Sequence, residues 1–317
     1  MEATLPTREE FERAAELVRP VVLRTPLVPL HDPGGELDVL LKPEIHQVVG
    51  SFKIRGVYHA VARMEAGTRA RGISTVSAGN TAQALAWAGR HFGVPSRSVM
   101  PEGAPASKVA AVRAWGGTPV PVPTDELFRY MREHGWEAEP WAFVHPWTDR
   151  DVMLGHGSLG LEILEQCPEV RTVYVPVGGG GLLAGVGSVL RLWRPDVHIV
   201  AVEPESCCAL HASLEAGRAV AADCHTMCDG VAVPYLTEEM FPLLRELVDA
   251  TVLVPEDEVR AAIRRLLAGN HMVAEGAGAL ATAAALREPR EVRGRSVCLV
   301  TGGSIDVEKL TAILAEA

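Results

Sequence analysis

The chain has 317 residues, 48% hydrophobic and 22% charged, with a formal net charge of −10. That length allows about two domains with sizeable cores, while an acidic balance without any Lys/Arg run excludes a nucleic-acid-binding face, because phosphates demand basic charge. No apolar run reaches the ~18 residues of a membrane span, and the Met1–Glu10 start is acidic rather than a basic signal region, so a cytoplasmic protein with no membrane partner is expected.

In chain order, Thr7-Arg8-Glu9-Glu10 reads as a capping box opening a helix with Phe11, Ala14, Ala15 and Val18 on one face until Pro20 stops it. Pro26, Pro29 and Pro33 punctuate a loop, and Val39-Leu40-Leu41 is a short buried strand. From about Gly72 strands alternate with helices: Ile73–Val76 into Thr81–His91, Ser98–Met100 into Ser107–Trp115, and Thr118–Val122 into Asp125–His134. A second alternation has Thr172–Val177, His198–Val202, Thr251–Val254 and Ser296–Val300 as near-continuous apolar strands, as in parallel sheets covered on both faces.

The expected fold class is therefore α/β, with two domains that are each a mostly parallel sheet covered by helices. Residues 67–146 form a small inserted domain; residues 1–66 and 147–317 form the larger one. A ligand should lie in the cleft between them, at the carboxyl ends of the strands. Six cysteines show no framework spacing, so free thiols in a reduced compartment are expected. Cys224 and Cys228 lack the second pair that a metal site would need, and no metal site is predicted.

Three stretches carry chemistry. Gly50-Ser51-Phe52-Lys53-Ile54-Arg55-Gly56 puts a lysine at the mouth of an apolar-periodic helix. Ser77-Ala78-Gly79-Asn80-Thr81 and Val177-Gly178-Gly179-Gly180-Gly181-Leu182 each end a strand and open a helix. In the second of these turns, glycines let the backbone approach a phosphate while free amides and the helix dipole favour its charge. A lysine amine beside such a cradle suggests a phosphorylated carbonyl cofactor. Asn80 also reads as a simple helix N-cap. The same glycines fit a dinucleotide fingerprint, Gly179-x-Gly181-x-x-Ala184 followed by Glu203, and so leave a nicotinamide oxidoreductase open. Gly155-x-Gly157-x-x-Gly160 matches too, but no strand precedes it.

Ser51-Phe52-Lys53-Ile54-Arg55-Gly56, Ser77-Ala78-Gly79-Asn80, the tetraglycine loop and Val300-Thr301-Gly302-Gly303-Ser304 resemble, in order and spacing, the pyridoxal-phosphate-dependent threonine/serine dehydratases and serine racemases. The resemblance implies pyridoxal 5'-phosphate in the cleft, bound to Lys53, with Phe52, Asn80, Gly178, Gly179, Gly180, Gly181, Leu182, Glu275 and Thr301 around it. Ser77, Ala78, Gly79, Asn80 and Thr81 would hold the amino-acid substrate, and Lys53 would move the Cα proton. It further implies an ammonia-lyase for L-threonine, and for L-serine as well, of the short catabolic type that assembles as a homodimer or homotetramer. A serine racemase, or an enzyme for another β-hydroxy amino acid, is the alternative. The racemases carry a serine where this chain has Ala78, and a methyl cannot move a proton. Glu203 matches one carboxylate of their metal site, but its second partner position is Ala209 here.

Overall fold

The computed structural model describes residues 5–316. Among the described residues ten strands form two sheets: β1 (Val28–Pro29), β2 (Val39–Pro43), β3 (Ile73–Val76), β4 (Ser96–Pro101), β5 (Thr118–Val122), β6 (Ala142–Phe143), β7 (Thr172–Pro176), β8 (His198–Pro204), β9 (Ala250–Val254) and β10 (Ser296–Val300). The six-stranded sheet has the order β1-β2-β10-β7-β8-β9, and the four-stranded sheet β5-β4-β3-β6. All pairs are parallel except β1 with β2. This is the α/β architecture expected.

The strands of the larger sheet are apolar on both faces because both are covered. Val173, Val175, Ile199, Ala201, Val297 and Leu299 pack in one core. Their neighbours Tyr174, Val200, Val202, Cys298 and Val300 point the other way into a second. Two-residue periodicity thus divides one apolar run between two helical layers. In the smaller sheet β5 contains Pro119 and Pro121, which cannot donate to a ladder, and it lies at the edge where only one side pairs. Strands β1 and β6 were not expected; at two residues each they are too short to show a period.

The first helix, Arg8–Val18, has its capping box, with Thr7 N–H donating to Glu10 Oε2 at 2.8 Å. Phe11 from this helix fills the space left by Gly157 in the Arg150–Gln166 helix. Gly155, Gly157 and Gly160 therefore let helices pack closely rather than bind a nucleotide. The Lys53–Arg63 helix packs against the elements of the smaller sheet: Ile54, Val57 and Val61 share a core with Ile73, Leu85 and Ala88. No helix among the described residues is long and apolar enough to cross a membrane. The expectation of six free thiols is corrected, since Cys207 and Cys224 form a disulfide while Cys167, Cys208, Cys228 and Cys298 remain free. The chain's return through the Ala209–Ala216 helix brings together two cysteines 17 positions apart, a proximity that spacing alone does not reveal.

Candidate active site

Lys53 is the first residue of its helix, and two sets of contacts hold that helix start. Phe52 N–H donates to Thr301 O and Gly303 N–H to Gly50 O, both at 3.0 Å, while Ser51 bridges to Gly302. The lysine turn is thereby tied to the carboxyl end of β10. Gly50 takes a left-handed φ of 71° to make that turn, which a side chain would strain. Two residues on from Lys53, Arg55 is completely buried and donates to Glu44 from Nε at 2.7 Å and from Nη2 at 2.9 Å. It also reaches Glu162 from Nη1 at 2.7 Å. Burial disfavours the charge on Arg55, but the Glu44 and Glu162 carboxylates outweigh it and raise its pKa.

The ring of Phe52 lies 4.8 Å from Lys53 Nζ and 4.8 Å from the ring of His156. Burial, and then the Lys53 charge, push His156 well below its ordinary range, so it is a neutral imidazole behind Phe52. Burial also pulls the Lys53 ammonium down from 10.5 to about 8, against the opposing charge of Glu275. An amine with that pKa is neutral about a tenth of the time at pH 7, far more often than an ordinary lysine, as a nucleophile toward a carbonyl must be. The expected result is that the rate at which the Lys53 amine captures an aldehyde rises with pH and levels off above about 8. Stopped-flow absorbance measures it; a rate still climbing steadily past about pH 10, the ordinary lysine range, would mean a solvated lysine.

The glycine loop is bare on one side and packed on the other. A Cβ on Gly178 would meet the Val231 backbone, one on Gly179 the Trp147 ring, one on Gly180 Leu244, and one on Gly181 the Trp147 backbone. Gly180 also has a φ of 90°. The amides of Gly178 through Leu183 have no protein acceptor among the described residues, and they open the Gly181–Trp193 helix. Such a row of free N–H groups at a helix amino terminus fits a phosphate.

The second turn has the same character. Gly79 N–H donates to Ser77 Oγ at 3.1 Å, whereas the amides of Ala78, Asn80, Thr81 and Ala82 have no protein acceptor among the described residues. The helix starts at Asn80 with Gly79 in the capping position, so Asn80 is not the N-cap that its spacing suggests. Its Nδ2 donates instead to Glu275 Oε1 at 2.7 Å, across 195 positions of sequence, and its Oδ1 is buried without a partner. Burial raises the Glu275 pKa while the bond from Asn80 lowers it, and burial prevails. Gly302 is needed beside this pair, since a Cβ there would collide with the Glu275 carboxylate and the Asn80 amide.

Lys53, Phe52, the two turns and Glu275 line one cavity of about 360 Å³, with Arg55, His156 and Gly302 behind its wall. Phe52, Lys53, Ser77, Ala78, Gly79, Asn80, Thr81, Gly178, Gly179, Gly180, Gly181, Leu182, Glu275 and Thr301, all singled out in the sequence, are in its wall. Most arrive from the carboxyl ends of β3, β7 and β10, as expected for parallel sheets. Glu203 is elsewhere. Its carboxylate accepts from the amides of Leu210 and His211, both at 2.8 Å, and caps the Ala209–Ala216 helix; it is engaged there rather than free for a ribose.

The sequence reading missed several wall residues: Lys108, Leu127, Met131, Trp147, Asp229 and Tyr235. Lys108 Nζ donates to Asp229 Oδ2 at 2.6 Å, joining a helix that follows β4 to the segment before β9. None of the six belongs to a glycine-rich turn or a spaced motif, so no local signal marked them.

A desolvated lysine facing two helix amino termini with bare amides, beside an orphaned Asn80 oxygen, suits a cofactor with an aldehyde, an aromatic ring and a phosphate. The fold and site thus define an enzyme that works with pyridoxal phosphate. The chain belongs to the family described as pyridoxal-phosphate dependent enzyme, whose model matches residues 18–302. It is 38% identical over 309 residues to an L-threonine ammonia-lyase of Geobacter sulfurreducens, covering 96% of this chain and 77% of that one. It is 39% identical over 320 residues to an L-threonine ammonia-lyase of Thermotoga maritima, covering 97% and 78%. Among solved structures it resembles a threonine deaminase from the organism abbreviated T.th., with a TM-score of 0.87 and 35% identity over 95% of this chain and 99% of that one. Maize serine racemase superposes with a TM-score of 0.88 at 27% identity, covering 99% and 98%.

Proposed function

We propose that the chain is a pyridoxal-phosphate-dependent ammonia-lyase that converts L-threonine, and L-serine, to the 2-oxo acid and ammonia by β-elimination. The observation that carries the reading is a lysine amine with its pKa near 8 in the same cavity as two helix amino termini with free amides. Bound cofactor supplies an electron sink for the negative charge that develops at the substrate Cα. Lys53 is the residue that would carry it, and the amides of Gly178 through Leu183 would hold its phosphate. The substrate carboxylate falls to the free amides of Ala78, Asn80 and Thr81. With its amine free, Lys53 would take the Cα proton of the substrate. Thr301 would present the cofactor with a neutral hydroxyl from the cavity wall, which would not enforce ring protonation as a carboxylate would, an arrangement suited to loss of a β-hydroxyl. Asn80, braced by Glu275, would have a second N–H to donate to a cofactor oxygen.

The serine racemase reading is disfavoured by Ala78, since a second face needs its own proton donor and a methyl offers none. The division into residues 67–146 against 1–66 and 147–317, the cytoplasmic setting and a homodimeric or homotetrameric assembly belong to the same proposal; β3 to β6 all fall inside 67–146. The test is purified protein with L-serine or L-threonine, followed by 2-oxo acid assay and chiral chromatography. Pyruvate and 2-oxobutanoate with negligible D-serine are expected. Introducing Ala78→Ser should raise D-serine formation, by up to the ~10²–10⁴ that a positioned acid–base group commonly supplies. Rapid D-serine production by the unaltered protein would refute the lyase reading.

A further inference from the structure

We propose that the cavity's outer wall is a side-chain pocket for a bulky apolar or aryl substituent on the β-carbon, so that 3-aryl-serines are better substrates than L-threonine. This deepens the ammonia-lyase reading and rests on it. The groups assigned to cofactor and amino-acid backbone are Lys53, the glycine loop, residues 77–81, Glu275 and Thr301. What remains of the wall has a different chemistry. Leu127 and Met131 lie four residues apart, on one face of the Thr124–Arg132 helix, each only 8% exposed. Trp147, Val233 and Tyr235 also line the cavity, and the Trp147 and Tyr235 rings meet edge to face with centroids 6.4 Å apart.

These surfaces are held rigidly. Trp147 is backed by the glycine loop and by His145, whose ring is 4.8 Å away, and His145 in turn meets Trp136 at 5.7 Å and Phe143 at 6.0 Å. The remaining charges in the wall, Lys108 and Asp229, pair at 2.6 Å, and Lys309 Nζ lies 3.5 Å from the second Asp229 oxygen, so protein cations already engage that carboxylate. A threonine methyl covers little of such a surface and a serine hydrogen none, whereas an aromatic ring on the same carbon gains its full apolar contact. Because Lys53 lines the same cavity, contact made by a substituent on the β-carbon would contribute to the transition state as well as to binding.

The reaction is the same elimination. The Cα–H bond breaks with its proton going to the Lys53 amine, and the Cβ–O bond breaks with the hydroxyl leaving as water, protonated by the ammonium that Lys53 has become. The released enamine takes a proton from solvent at Cβ to become the imine, and water adds at Cα to expel ammonia, so that 3-phenylserine yields phenylpyruvate and ammonia with no external oxidant or reductant.

The experiment uses holoenzyme and two readouts: kcat/KM for L-threo-3-phenylserine against L-threonine, and calorimetric Kd for L-phenylalanine against L-alanine, which have no β-hydroxyl to lose. The expected result is at least about a tenfold advantage of the ring in both, the scale that a buried ring supports. Met131→Ala and Tyr235→Ala should each shrink the phenylalanine-to-alanine affinity ratio several-fold. Threonine turnover with no phenylserine turnover, and L-phenylalanine binding no tighter than L-alanine, would overturn the pocket while leaving the lyase reading intact. If no β-hydroxy amino acid reacts, the lyase reading fails, and an unaltered affinity ratio in the two variants overturns the pocket as well.

Discussion

Lys53→Ala is expected to abolish turnover of L-threonine, with a loss of at least ~10³-fold from removal of the proton-transferring amine alone, within the range for positioned acid–base groups. The fold should survive. Burial already disfavours the Lys53 charge, pulling its pKa to about 8, so the alanine variant removes a desolvated ammonium rather than a stabilising contact. Borohydride reduction of the unaltered holoenzyme followed by peptide mapping should label Lys53. A label on another lysine, or an alanine variant that retains turnover, would remove Lys53 from the chemistry. The urea midpoint of the cofactor-free variant should equal or exceed that of the cofactor-free parent.

The second large effect concerns stability. Arg55→Ala should cost about 3–5 kcal/mol, because it leaves the fully buried Glu44 and the largely buried Glu162 without their shared cation. Burial pushes Glu44 up, yet the Arg55 charge and hydrogen bonds more than offset it and hold the carboxyl below its ordinary range. A depressed carboxylate contributes stability above its unfolded pKa, and that contribution is lost as pH falls through the folded value. The parent should therefore weaken in acid more steeply than the variant. Combining Arg55→Met with Glu44→Gln should cost less than the sum of the two single changes, since each alone strands the other's polar group. Strict additivity by urea denaturation would mean the pair is not coupled. Lys42, donating to Glu162 at 2.6 Å, still compensates that carboxylate, which places the loss toward the lower end.

Much of the site was legible because its chemistry is local. The lysine at a helix mouth, and glycines between a strand and a helix, are features of a few consecutive residues, and backbone conformation there is decided by those residues. The reason for the glycines was only half legible. The close approach of backbone to a phosphate was expected, but the side chains excluded at Gly178 through Gly181 would collide with Val231, Trp147 and Leu244 on the protein side. Asn80 shows the same limit. Its spacing reads as a cap; its side chain instead reaches Glu275, and Gly79 caps the helix. Glu203 reads as a ribose ligand by spacing alone, and it is occupied by two amides of the next helix.

The sequence by itself determined the alternation of strands and helices, the burial of strands on both faces, a lysine at a helix mouth and the positions of the two glycine-bearing strand-to-helix turns. Each is encoded by period or by neighbouring residue types, which act over a turn of helix or a pair of pleats. The tertiary structure alone decided the Asn80–Glu275 pair, the Lys108–Asp229 link, the Cys207–Cys224 disulfide and the apolar wall of Leu127, Met131, Trp147 and Tyr235. Most of these contacts join residues far apart in the chain, and even the disulfide depends on an intervening helix folding back. Those at the cavity exist because strands of two mostly parallel sheets end there, and strand order carries no local signature in the residues that it brings together.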